Sequence, residues 1–310
     1  MHIFGPVPSR RLGKSLGVSI IPPKYCSYSC IYCQLGVTQN MQIEPIEIKK
    51  LKLIKDKVKH KIKVLRTRGE KIDYLTFVAD GEPTLAFELG ELIDTFKDYG
   101  VKIAVITNAS LLWKDKVKND LQKADWISLK CDSVVGSTWK KINRPYGQLD
   151  LNRIQEGMIE FAGEYQGILA TETMLLKDMN DKKNEIEQIS QFVKKLAPEI
   201  SYLSIPTRPP AEGYAVSPSP EFINLAFNIF KRANIKVEYL IGYEGNEFAS
   251  TGDIVEDVLS ISAVHPLKEE AVDELINKCE GSWSDIDRLV FDKKLFEVEY
   301  ENSKYYIRQF

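Results

Sequence analysis

Histidine is scarce in this chain of 310 residues: only His2, His60 and His265 occur, and no two of them stand at the spacing of a paired metal site. Long apolar runs are missing as well. The longest, residues 17–21 and 103–106, are strand-sized and far short of the ~20 residues that span a bilayer, so no membrane segment is expected. No repeat of fixed period and no low-complexity tract is present. The formal net charge of -2 argues neither for nor against a polyanionic partner. The opening MHIFGPVPSRR lacks the charged-then-apolar pattern of a secretory signal, and a cytoplasmic location is the expectation. That compartment is reducing, which favours metal ligation or free thiols over disulfides for the five cysteines.

The chain has 44% hydrophobic and 28% charged residues, the balance of a soluble globular protein with a sizeable core. Its length exceeds one ordinary domain, so a large domain followed by a small one is expected. Three of the five cysteines fall together, in residues 25–34, YCSYSCIYCQ. Cys26, Cys30 and Cys33 make a C-x-x-x-C-x-x-C spacing too tight for a conventional disulfide staple. Thiolates are the soft ligands that hold iron–sulfur clusters, and three of them leave one iron of a [4Fe–4S] cube open to another ligand. A zinc site is the alternative. Such sites pair C-x-x-C with a second pair of ligands, whereas Cys131 and Cys279 are isolated here. Tyr25, Tyr28 and Tyr32 can shield a cluster from solvent and tune its potential.

Short β-rich runs alternate with helical stretches along most of the chain. Strands are expected at 17–21, 74–80, 102–108, 126–132, 167–175, 202–206 and 236–243, after a Pro/Gly-punctuated lead-in over 1–16. Helices are expected at 48–68, 85–99, 111–123, 151–165, 184–196 and 221–233. Repeated βαβ units of this kind predict an α/β fold, an open or closed barrel of six or seven strands, with ligands at the C-terminal strand ends. DGEP, TN, KCD and TRPP fall at those ends. Residues 242–253 read as a linker. Beyond it, helices at 254–262, 268–279 and 284–291 and a hairpin broken at 301–303 predict a winged-helix domain. The expected division is 1–250 and 251–310.

The segments GPVPSRRLGKSLGVSIIPPKYCSYSCIYCQLG, DGEPTL, TNASLL, INRPYG and TRPPAE resemble the radical S-adenosylmethionine (SAM) superfamily. They are most similar to stand-alone iron–sulfur oxidoreductases, distantly similar to wyosine-synthesis enzymes that act on transfer RNA. The resemblance implies a partial (β/α)6-type barrel, a [4Fe–4S] cluster held by Cys26, Cys30 and Cys33, and SAM on the open iron. Gly81, Glu82 and Pro83 resemble the motif that receives the methionyl amino group, although Asp80 stands where the family usually has a second glycine. Asn108 and Ser128 fall at ribose or carboxylate contacts, Tyr32 at the aromatic position beside the adenine, and Glu172 in the adenine-binding region. Lys130 can pair with the cofactor carboxylate, and Lys130 and Cys131 are the candidate catalytic residues. The implied activity is reductive cleavage of SAM and hydrogen abstraction by a 5′-deoxyadenosyl radical, with electrons from a flavodoxin- or ferredoxin-like donor. A wyosine-type transfer-RNA modifier and an iron–sulfur sensor with winged-helix output are the alternatives.

The substrate, small or macromolecular, is not specified by these motifs. Arg10, Arg11, Arg144 and Arg208 are candidate contacts at the barrel mouth, and together they point to an anion. Residues 49–71 hold eleven Lys or Arg against two acids, which suits a solvated helix face or an RNA backbone. Residues 253–310 hold fourteen acids against seven Lys or Arg. That surface should repel DNA, so the domain is expected to dock a protein or close the barrel.

Overall fold

The computed structural model describes residues 2–78, 80–241, 248, 250–262 and 266–309, residue 2 by its backbone alone. Eight strands form one sheet in chain order: β1 (His2–Ser9), β2 (Gly13–Ser19), β3 (Tyr74–Phe77), β4 (Lys102–Thr107), β5 (Trp126–Lys130), β6 (Ile168–Met174), β7 (Ile200–Ser204) and β8 (Val237–Leu240). Every pairing from β2 to β8 is parallel. Among the described residues β1 and β8 are the edge strands, and the sheet is a curled, open half-barrel. Helices α1 (Leu51–Thr67), α2 (Leu89–Lys97), α3 (Asp115–Leu121), α4 (Gly136–Asn143), α5 (Leu151–Glu164), α6 (Lys183–Leu196) and α7 (Pro220–Arg232) carry the crossovers. Strand alternation divides the side chains between two faces. On β5, Ile127 and Leu129 join the core under the helices, while Trp126 faces inward with Ala104 and Ala170. Each helix buries one stripe, as α6 does with Ile186, Ile189, Val193 and Leu196.

The lead-in expected over 1–16 is corrected: residues 2–9 are a strand paired antiparallel with β2, which itself begins at Gly13. Pro6 and Pro8 obscured it, yet proline is compatible with an edge strand. The register shifts between Phe4 and Val7. Gly5, at φ +85°, is required there, because a Cβ would lie 2.5 Å from the Val7 nitrogen. α4 is also new, being too short for its apolar period to show. The basic residues of α1 form a largely solvated face over a buried stripe of Ile54, Val58, Ile62 and Leu65. No helix among the described residues is long and apolar enough to cross a membrane.

The C-terminal region is three helices and a wing, as expected: α8 (Ile254–Ser262), β9 (Leu267–Lys268), α9 (Glu269–Cys279), α10 (Trp283–Phe291), β10 (Leu295–Tyr300) and β11 (Ser303–Arg308), with sheet order β9-β11-β10. It is welded to the half-barrel. Val258, Ile261, Leu275 and Leu289 pack in one cluster with Phe4 and Val7 of β1. Tyr305 on β11 donates to the Thr207 carbonyl at 3.3 Å, beyond the end of β7. Of the linker expected over 242–253, residues 242–247 and 249 lie outside the described residues, as does His265. The rest is not a solvated tether, because Phe248 is fully buried and Ser250 and Thr251 donate to the Asp257 carboxylate.

Phe4 spans both parts: its ring occupies the space where a Cβ on Gly17 would stand and belongs to the C-terminal cluster. Phe4→Ala is therefore expected to cost about 3–5 kcal/mol. Chemical denaturation should show one weakened transition for barrel and C-terminal region together.

Candidate active site

The strand ends surround a cavity of about 330 Å³. The loop after β2 brings Cys26, Cys30 and Cys33 to its wall, all three as free thiols. Backbone contacts fasten this loop to the end of β3. Lys24 N donates to the Asp80 carbonyl at 2.6 Å, and Glu82 N donates to the Tyr25 carbonyl at 3.1 Å. Gly81 is fixed by this approach, since a Cβ there would lie 1.7 Å from the Tyr25 oxygen. Donors then reach the sulfurs. Tyr28 N and Asn108 Nδ2 each stand 3.5 Å from Cys26 Sγ, and Asn143 Nδ2 stands 3.4 Å from Cys30 Sγ.

Burial, followed by the Glu82 carboxylate, pushes the Cys26 thiol well up. Burial and then Asp132 push Cys30 up to about 12, and burial raises Cys33. Thiolates here need a compensating cation. The donor set fits an iron–sulfur cluster: three thiols face one cavity with amide donors at two sulfurs. Among the described residues, no three His, Cys, Asp or Glu side chains converge as ligands of a single ion would. A multi-iron cluster places each thiolate on its own iron.

Glu82 lines the same cavity beside the cysteine loop, buried at 2% exposure. Its Oε1 accepts from Thr84 N at 3.0 Å, Thr84 Oγ1 at 2.7 Å and Thr107 Oγ1 at 2.6 Å, and its Oε2 accepts from Asn108 N at 2.8 Å. Burial raises its carboxyl against these donors. Pro83 is buried and opens the short 3-10 turn Pro83–Leu85 that presents Thr84. The Asn108 amide nitrogen serves Cys26 and Ser27 (2.9 Å), and its oxygen accepts from Ser110 N at 2.9 Å.

A chain of alternating charges runs along the ends of β5 and β6. Lys130 Nζ lies 3.3 Å from Asp132 Oδ1 and 3.0 Å from Glu172 Oε1. Arg11 Nη1 donates to the other Glu172 oxygen, and Ser204 Oγ donates to Oε1 at 3.1 Å. Burial alone would push the Glu172 carboxyl up, but Lys130 and Arg11 outweigh it and hold it down at about 2. Tyr32 donates its hydroxyl to Asp132, and its ring stands 4.9 Å from Lys130 Nζ. Asp80 also lines the cavity. Burial pushes its carboxyl up to about 6, although Ser19 Oγ donates to it at 3.1 Å.

Three expectations are corrected. Cys131 is not in the cavity: it follows Leu129 onto the helix-covered face, 5% exposed, and burial pushes its thiol up. Arg144 turns away at φ 43°, pairing with Glu212 and donating to the Tyr214 hydroxyl at 2.6 Å. Ser128 lies one layer beneath Lys130, its hydroxyl buried with no hydrogen-bond partner among the described residues. Arg10, Arg11 and Arg208 do line the cavity. The sequence reading missed Asp132, Asn143 and Lys24. Asp132 and Asn143 each stand next to a residue it chose, and the quoted KCD and INRPYG segments contain them. Cys131→Ala should leave cluster iron and SAM binding unchanged and lower stability by about 1 kcal/mol, seen by iron assay and thermal unfolding.

An open half-barrel whose first parallel crossover carries three cysteines onto a cavity at the strand ends defines a recognisable class of enzyme. Residues 20–197 match the Radical SAM superfamily, and the chain belongs to it. Enzymes of this superfamily use a [4Fe–4S] cluster and SAM, and these are its cofactors. Within the superfamily, the chain is 44% identical over 307 residues to UPF0026 protein MJ1312 of Methanocaldococcus jannaschii, covering 98% of this chain and 95% of that protein. It is 33% identical over 278 residues to a UPF0026 protein of Helicobacter pylori, covering 86% and 85% of the two. A radical SAM methyltransferase from Sphaerobacter thermophilus shares the fold, with a TM-score of 0.55 at 17% identity over 73% of this chain and 66% of that one.

Proposed function

We propose that this protein cleaves SAM reductively at a [4Fe–4S] cluster and that the resulting 5′-deoxyadenosyl radical abstracts hydrogen from a substrate in the cavity. The observation that carries this reading is the cavity itself, which is lined by Cys26, Cys30 and Cys33 together with Glu82 and Tyr32. The three cysteines would hold the cluster, with Asn108 and Asn143 as amide donors to the Cys26 and Cys30 sulfurs. Glu82 would accept the methionyl amino group, held for that task by Thr84, Thr107 and the Asn108 amide. Tyr32 would offer its ring to the adenine while Asp132 fixes its hydroxyl. Lys130, held between Asp132 and Glu172, would face the cofactor carboxylate as a positioned cation. The buried walls exclude water from the reacting atoms.

Electrons would come from a flavodoxin- or ferredoxin-like donor. The other two cysteines stand apart from the three at the cavity, Cys131 in the core and Cys279 at the end of α9, which favours a one-cluster enzyme. Anaerobic reconstitution with iron and sulfide, followed by dithionite and SAM, tests the proposal. Formation of 5′-deoxyadenosine and methionine is expected, and a fully loaded protein that forms neither would sink it.

A further inference from the structure

We propose that Asp132 is a positioning residue: it holds the Asn143 side-chain amide with its NH₂ on Cys30 Sγ, and this bond raises the potential at which the cluster takes up its electron. The proposal rests on the radical-enzyme reading above. Nδ2 of Asn143 stands between two acceptors, 3.4 Å from Cys30 Sγ and 2.8 Å from Asp132 Oδ2. An amide has a donor end and an acceptor end, so either could face a sulfur. A carboxylate only accepts, and Asp132 therefore selects the NH₂ end. The main chain keeps the amide in place. Asn143 is the last residue of α4 and is 3% exposed. Its carbonyl accepts from Ser29 N at 3.0 Å and the Ile142 carbonyl accepts from Ile31 N at 2.9 Å, so the helix end is tied to the chain on both sides of Cys30.

Asp132 is itself held on every side. Its Oδ1 accepts from Met174 N at 2.9 Å and lies 3.3 Å from Lys130 Nζ, its Oδ2 also accepts from the Tyr32 hydroxyl, and its carbonyl accepts from Asn180 Nδ2 at 2.8 Å. Asp132 thus acts on Cys30 in two opposed ways. Its charge disfavours further negative charge on the sulfur, whereas the donor that it orients favours it. The free thiol shows both signs, pushed up by burial and then by Asp132 and pulled down by Asn143. A hydrogen bond to a cluster sulfur likewise stabilises the more negative, reduced state and raises the potential. Replacing Asp132 by Asn separates the two roles. Lys130 Nζ and Met174 N still face one side of residue 132, so a new amide keeps its oxygen there and turns its NH₂ towards Asn143. The Asn143 amide must then turn its own oxygen to that NH₂, and so to the sulfur.

The test is redox titration of the reconstituted protein without SAM, followed by the cluster's electron paramagnetic resonance signal, with iron content reporting the loading of each variant. Asn143→Leu keeps the shape and removes the donor. At a fixed solution potential it should lower the ratio of reduced to oxidised cluster about tenfold, a shift of about 59 mV for one electron. In the Asn143→Leu background Asp132→Asn should raise that ratio, because only charge is lost. With Asn143 present it should raise the ratio about tenfold less, or lower it, because the amide also turns. Proton double-resonance spectra should show an exchangeable proton coupled to the cluster in wild type and missing in Asn143→Leu. An unshifted potential in Asn143→Leu, an unchanged proton spectrum, or equal effects of Asp132→Asn in the two backgrounds would each overturn the proposal. Loss of the cluster from Asp132→Asn would also overturn it, by making Asp132 a residue of the fold alone. A fully loaded wild type that cleaves no SAM would count against the radical-enzyme reading instead, since these potentials are measured without SAM.

Discussion

Glu82→Ala is expected to weaken SAM binding at least a hundredfold and to destabilise the fold by about 3–5 kcal/mol. The two effects share one origin. Truncation leaves two hydroxyls and two backbone amides aimed at empty space, and each buried unmet donor costs about 1–3 kcal/mol. The Thr84 and Thr107 hydroxyls can rotate to new acceptors, but the Thr84 and Asn108 amides cannot. Glu82→Gln keeps the shape yet turns an amide NH₂ towards these donors and removes the negative charge that would face the methionyl ammonium. Its SAM affinity should fall about tenfold to a hundredfold. Equilibrium dialysis gives the binding and denaturant titration the stability. Affinity for SAM within about threefold of wild type in Glu82→Gln would remove Glu82 from the proposed role.

Glu172→Gln should cost about 3 kcal/mol at neutral pH, because it takes the carboxylate from Arg11 and leaves Lys130 with Asp132 alone, in a wall where the two cationic side chains are only 16% and 12% exposed. The pH dependence is a sharper check than the magnitude. The folded carboxyl is held at about 2, below the ~4.3 of an unfolded glutamate. Its contribution is therefore fully present above pH ~5 and is lost as pH falls through about 2. The gap in unfolding free energy between wild type and Glu172→Gln should narrow across that interval. A gap independent of pH would mean that Glu172 acts through shape and not charge.

Chemistry was more legible in the sequence than position. The cysteine spacing and the βα alternation marked the cavity's place at the strand ends, because both are local patterns. Two site assignments missed by one residue, for the reasons local patterns miss. Cys131 and Asp132 are neighbours at a strand end, where period two sends them to opposite faces, so the thiol enters the core and the carboxylate holds Tyr32 and Lys130. Asn143 and Arg144 end α4, where the left-handed turn at Arg144 directs the amide to Cys30 and the guanidinium to Glu212. The link from Arg11 to Glu172 spans 161 residues and exists only once the half-barrel closes around it. β1 was hidden because its prolines read as a lead-in, and its partner cluster lies at the far end of the chain.

The proposed function requires one cluster held by Cys26, Cys30 and Cys33, with SAM bound to it. Electron paramagnetic resonance of the reduced, reconstituted protein tests this most directly. A [4Fe–4S] signal that changes on adding SAM is predicted in wild type. With Cys26, Cys30 and Cys33 all replaced by Ala, the signal should be absent and the iron lost. The same signal in that triple variant, or a wild-type signal indifferent to SAM, would contradict it.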